Sequence, residues 1–223
     1  MKQIHEGEIF EVIPQAGGIV YSFPKSANDN GEVLVRFKFY SFENDTTTDI
    51  EPNVYLLAKY GANYQAALPF CENFILTRAL PLNDNAILLC EPNGKSVLLD
   101  SKGVVTWTGE IKYHGKTPTD FAMDGNNIWA CFDSLDAVIR LNPKTLREDL
   151  RLGGKGSIIS VPKSIYIEEG AAYISAAKSK KLLKIDLKSF DTEDTYYFEE
   201  PILSYNKVGI YEFAHLKSGL YML

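Results

Sequence analysis

The sequence predicts an all-β fold. Three observations carry that expectation. Apolar and polar residues alternate over many short runs, thirteen Tyr and twelve Phe sit mostly within such runs, and one strand–turn–strand pattern recurs at a nearly constant spacing.

Composition sets the bounds. The 223 residues are 45% hydrophobic and 23% charged, an ordinary globular composition long enough for one well-buried core or two small ones, and a single domain over residues 1–223 is expected. The formal charge of −6 argues against nucleic-acid or anionic-membrane partners, because both require a basic footprint. Cys71, Cys90 and Cys131 are too few for a disulfide framework and form no CxxC pair to hold zinc. Glu6, Glu8 and Glu11 fall where a signal peptide would place its apolar stretch, and no apolar run nears the ~20 residues of a membrane span. The expected location is the cytoplasm.

The elements follow in chain order. GEIFEVIPQA (residues 7–16) reads as a strand. EVLVRFKFYSF places Val33, Val35, Phe37 and Phe39 on one face and Leu34, Arg36, Lys38 and Tyr40 on the other. NVYLLAKYG and NYQAALPF are read as further strands, so that residues 24–75 make one irregular repeat unit. KTLREDLRL, with Leu146 and Leu150 four apart, suits a short helix or a strand after a turn.

Self-similarity is the strongest signal. LTRALPLNDNAILLCEPNGKSVLLDSKG, PTDFAMDGNNIWACFDSLDAVIRLNPKT and PKSIYIEEGAAYISAAKSKKLLKIDLKS each contain a strand, a turn, a second strand, a loop and a third strand. Taking Ile87, Trp129 and Tyr173 as equivalent gives spacings of 42 and 44, and the third-strand ends Asp100, Asn142 and Asp186 repeat them. A further copy begins at IYEFAHLKSGLYML, with Tyr221 placed 48 residues after Tyr173. That copy ends after two strands, and residues 8–13 are expected to pair with 219–223 and supply the missing one. Repeats of ~40–45 residues fit a chain of this length about five times. The architecture expected is a five-bladed β-propeller whose last blade is closed by strands from both termini, which removes open sheet edges.

The stretch DFAMDGNNIWACFDSLDAVIRLNP resembles the β-propeller repeats of the NHL and related families, over roughly residues 76–189. The resemblance implies a fold, since such repeats serve unrelated functions.

Repeat register points to a site. The first strand of each blade should line the channel, so the residue leading into it should stand at the mouth. This selects Arg78, Asp120, Ser164 and Glu212, with Ser26 as a fifth, and Lys163 and Tyr211 as neighbours. Loops on the same face add Asp133, Asp136, Lys178, Lys180 and Lys181. Asp120, Glu212 and Arg78 could bind a ligand or act on one, or could form a structural plug; their charges should depress the carboxylate pKa values. His5, His114 and His215 stand alone in the sequence, and no GxSxG, P-loop or GxGxxG motif is present. Trp129 and Tyr173 are expected to be buried between blades. The favoured function is a non-catalytic module that presents one loop face to a protein or small polar ligand, with no cofactor and no metal. The alternative is a hydrolase or lyase in the channel, with or without a metal, using Asp120, Glu212 and Arg78.

Overall fold

The computed structural model describes residues 1–27, 33–125 and 127–223. Glu32, which heads the EVLVRFKFYSF run, and Asn126, within the DGNN turn, lie outside them. Strand β1 (Lys2–Glu6) is followed by β2 (Glu11–Gln15), β3 (Gly18–Ala27), β4 (Val33–Ser41) and β5 (Thr46–Asp49), and β2–β5 form blade 1. Blade 2 is β6 (Arg78–Pro81), β7 (Ile87–Cys90), β8 (Lys95–Leu99) and β9 (Val105–Glu110). Blade 3 is β10 (Asp120–Asp124), β11 (Asn127–Phe132), β12 (Ala137–Leu141) and β13 (Glu148–Gly153). Blade 4 is β14 (Pro162–Glu168), β15 (Ala171–Ala176), β16 (Lys181–Asp186) and β17 (Thr192–Tyr197). Blade 5 is β18 (Ile202–Val208), β19 (Tyr211–Leu216) and β20 (Gly219–Met222), with β1 as its outermost strand. The chain is a five-bladed β-propeller.

Burial explains the blade sequences. Second strands sit between neighbouring blades and are apolar on both faces, as in ILLC of β7 and NIWACF of β11. Outermost strands such as TTTD of β5 and TEDTYY of β17 are largely exposed and polar. Trp129 is 1% exposed and packs with Ile165 and Ile174 of the next blade. Tyr173 is half-buried and stacks on Tyr205 of blade 5, with ring centroids 5.4 Å apart.

The repeat landmarks have a physical origin. Asp100, Asn142 and Asp186 each accept the backbone N–H two residues on, from Lys102, Lys144 and Lys188, at 2.8, 3.0 and 2.8 Å. These are Asx turns, which fix the hairpin from third to fourth strand in blades 2, 3 and 4.

Closure uses both ends of the chain, but with a different strand from the one expected. Lys2–Glu6 pairs antiparallel with β20, from Lys2 opposite Met222 to Glu6 opposite Gly219. Residues 8–13 instead run into β2, the innermost strand of blade 1. Blade 5 therefore draws three strands from the C-terminal side, and the counterpart of Trp129 and Tyr173 is Phe213 rather than Tyr221. Lys217–Ser218, just before Gly219, joins second to third strand, whereas the turn between first and second is at Gly209–Ile210. Each turn has a glycine in it or next to it, which is why composition did not separate them.

The irregular region divides differently too. Blade 1 ends at Asp49, and NVYLLAKYG and NYQAALPF are helical: α1 (Pro52–Tyr60), α2 (Tyr64–Ala67) and a 3₁₀ turn at Leu68–Phe70. Pro52 begins α1 where its missing N–H costs nothing, and Gly61, at φ +73°, ends it by donating to the Leu57 carbonyl at 2.9 Å. Tyr55 and Lys59, one turn apart, face inward while Val54 and Leu57 face out. Helix α1 touches β2, β3 and β6 and stands as a wedge between blades 1 and 2. The KTLREDLRL segment forms a turn followed by β13. No helix among the described residues is long and apolar enough to cross a membrane.

Candidate ligand site in the central channel

Register builds one row of residues around the channel. The first strands place Glu11 opposite Ser22, Arg78 opposite Cys90, Asp120 opposite Cys131 and Ser204 opposite His215. In blade 4 a bulge between Pro162 and Ile165 leaves Ser164 in the same row, where its hydroxyl donates to Ser175 Oγ at 2.8 Å. These first-strand residues, with Lys59 and His215, line a cavity of about 940 Å³. Its size suits a small molecule.

The blade 1–2 side of the row is built around Glu11. Its Oε2 accepts Lys59 Nζ at 2.7 Å and the Tyr55 hydroxyl at 2.5 Å, while Arg78 Nη1 lies 3.8 Å from Oε1. Lys59 also donates to the Ile75 carbonyl at 3.0 Å. Its side chain is 2% exposed, and burial lowers its pKa although Glu11 pulls the other way. Tyr55 is fully buried, and loss of hydration together with the Glu11 charge raises its phenol pKa. A pair so enclosed must be fully bonded to be tolerated, and the wedge helix supplies the bonds.

Asp120 faces a different environment. Its Oδ2 accepts the Ile165 N–H at 3.0 Å across the blade junction. What surface it keeps opens on the channel rather than on bulk water, and this loss of hydration raises its pKa to about 6, with Arg78 opposing the rise. Depression by the opposite charge, the effect expected from sequence, is outweighed by burial. The described residues contain no Arg78–Asp120 ion pair within 4 Å; the guanidinium reaches toward Glu11 instead.

Arg78, Asp120, Ser164 and Lys163 all line the channel. Lys163 is held by Asp133 at 2.6 Å. Glu212 and Tyr211 lie on β19, the second strand of blade 5, away from that row. Glu212 accepts the Tyr196 hydroxyl of blade 4 at 2.8 Å, and the Tyr211 ring packs at a tilt against Phe42 with centroids 4.5 Å apart. Ser26 is on β3, opposite Leu34, and not on a first strand. Among the loop residues, Asp136 accepts the Val161 N–H at 2.8 Å and Lys181 pairs outward with Asp194 at 2.7 Å. His114 is exposed.

Glu11, Lys59, Ser204 and His215 were missed. The one-strand slip in blade 5 hid Ser204 and His215, and the same slip removed Glu11 from the first-strand set. Pro52 and Gly61, bracketing eight residues with Tyr55 and Lys59 one turn apart, were the available signal for a helix and for an inward lysine.

Among the described residues, no three His, Cys, Asp or Glu side chains stand together as a metal-holding group. No family model and no curated protein matches the chain. Solved structures do resemble it. Virginiamycin B lyase from Staphylococcus aureus superposes with a TM-score of 0.53 at 11% identity, over 93% of this chain and 73% of the lyase. Saccharomyces cerevisiae Sqt1 gives 0.52 at 5% identity, over 96% and 71%. The computationally designed Ika4 protein gives 0.50 at 12% identity, over 65% and 88%. Identities this low establish a shared fold and nothing about activity.

Proposed function

We propose that the chain is a binding module that holds a small polar ligand in its channel, with Arg78 pairing an anionic group of that ligand. One observation carries the reading. Glu11, the carboxylate nearest Arg78, is already engaged by buried Lys59 and Tyr55, while the Arg78 side chain remains 39% exposed at the channel wall. The guanidinium thus retains charge and donors for an incoming carboxylate or phosphate. Three unpaired cysteines accord with a cytoplasmic setting.

Titration calorimetry with a set of small carboxylates and phosphate esters tests the reading. At least one should bind wild type and lose about tenfold or more in affinity with Arg78→Gln, as removal of a charge-assisted hydrogen bond implies. Binding unaffected by this change would overturn it.

The second reading is catalysis, and Asp120 supports it. A carboxyl with a pKa of about 6 inside a channel suits proton transfer in a hydrolase or lyase reaction. Glu212 would have no part in it. Turnover of an ester or lactone panel that disappears with Asp120→Asn, while the fold persists, would establish this reading over simple binding.

A further inference from the structure

The channel row is divided in character. Blades 1 to 3 contribute the ionic residues Glu11, Arg78 and Asp120, whereas blades 4 and 5 contribute Ser164, Ser204 and, behind Ser204, His215. Ser164 is satisfied, because it donates to Ser175 and accepts the Tyr205 N–H at 3.3 Å. Blade 5 is different. Ser204 Oγ is buried with no hydrogen-bond partner. The His215 ring makes no hydrogen bond among the described residues, and its nitrogens are not among the fully buried unpartnered atoms, so the ring faces the channel. His215 is only 7% exposed, yet it lines the cavity.

An unmet hydroxyl buried beside an unbonded imidazole is costly in a channel wall. Each buried donor or acceptor without a partner forfeits about 1–3 kcal/mol of hydration. We infer that the blade 5 wall at His215 and Ser204 is a subsite for a hydroxyl group, so that the ligand of the channel is a small hydroxylated acid with its anionic end at Arg78. A neutral imidazole has one donor and one acceptor, and a hydroxyl offers the complementary pair. Burial keeps His215 uncharged at neutral pH, with a pKa near 4. A cationic or wholly apolar group would leave one or both of these needs unmet. The inference rests on the binding reading above, which assigns the anionic end to Arg78.

The test compares D-gluconate with hexanoate, which share a carboxylate and a six-carbon length but differ in their hydroxyls. Affinities are measured at pH 7.5 on wild type, Arg78→Gln, His215→Phe and His215→Gln, with melting curves to verify folding. The expected result is gluconate binding at least tenfold tighter than hexanoate to wild type. His215→Phe, which keeps ring bulk and removes both nitrogens, should abolish that difference by weakening gluconate alone. His215→Gln serves the same purpose if the Phe variant does not fold, and should retain part of the preference because it keeps a donor and an acceptor. Equal binding of both acids to wild type, lost with Arg78→Gln, would sink the hydroxyl subsite while leaving the anion site intact. Failure of both acids to bind wild type would overturn the hydroxylated-acid assignment, while the anion site at Arg78 is decided separately by the carboxylate and phosphate-ester panel.

Discussion

The ammonium of Lys59 on helix α1 meets the carboxylate of Glu11 on β2 at 2.7 Å, with only 2% of the lysine side chain exposed. This contact ties the wedge helix to the channel wall. Removing one partner of a buried pair strands the other charge, at a cost of about 3–5 kcal/mol. Glu11→Ala should therefore destabilise the protein by roughly that amount in urea denaturation. The double variant Glu11→Leu with Lys59→Met should recover much of the loss, because neither charge is then left behind. A single-variant cost under about 1 kcal/mol, in the range of exposed pairs, would show that water reaches the pair.

Strand β1 covers the edge of β20 and contributes Ile4 to the cluster around Ile19, Tyr21 and Phe213. Deleting residues 1–6 should bare that edge, lower the melting temperature and promote aggregation. Light scattering alongside thermal melts provides the check. An unchanged, monodisperse protein would mean that blade 5 is stable with three strands.

His215 predicts acid sensitivity. Its folded pKa of about 4 lies below the ordinary 6.5 because burial disfavours the charged ring, and His5 on β1 adds to the effect. Protonation thus favours the unfolded chain. Stability from this group is complete above pH 6.5 and is lost as pH falls toward 4, by about 3 kcal/mol in all. His5, also shifted down by burial and next by Lys38, acts in the same direction. His215→Phe should flatten the stability profile between pH 6.5 and 4. A profile parallel to wild type would place the titration elsewhere.

Asp120 works in the opposite sense. Its pKa of about 6 lies above the ordinary 3.8, so the folded state holds the proton more tightly than the unfolded one. Its stabilising contribution is full below pH 3.8 and is lost as pH rises through 6, leaving a penalty of order 3 kcal/mol at neutral pH. Asp120→Asn should therefore raise stability at pH 7.5 and change it little at pH 4. Equal effects at the two values would show that the carboxyl is hydrated through the channel.

How much of this was legible depended on local chemistry. Asp100, Asn142 and Asp186 marked three blades because an Asx turn needs a side-chain acceptor at a fixed place, so residue type and geometry stay linked. Arg78, Asp120 and Ser164 followed from that register. Blade 5 has no such marker at the end of β20, and either of its glycine-bearing turns could be aligned with the first turn of another blade. Glu212 and Tyr211 were consequently put at the mouth in place of Ser204. Lys59 was harder still, since a lysine in LLAKYG is ordinarily a solvated one and its burial depends on Glu11, distant in sequence.

The pairing of β1 with β20 also orders events during synthesis. Lys2–Glu6 leaves the ribosome ahead of blades 1 to 4 and its hydrogen-bonding partner β20 follows them, so β1 must wait unpaired while four blades emerge. Blades 1 to 4 are each contiguous in the chain and can form as they appear, whereas blade 5 can be completed only after translation has passed Met222. The ring thus shuts at a single late step, and the nascent protein carries an unguarded sheet edge until then.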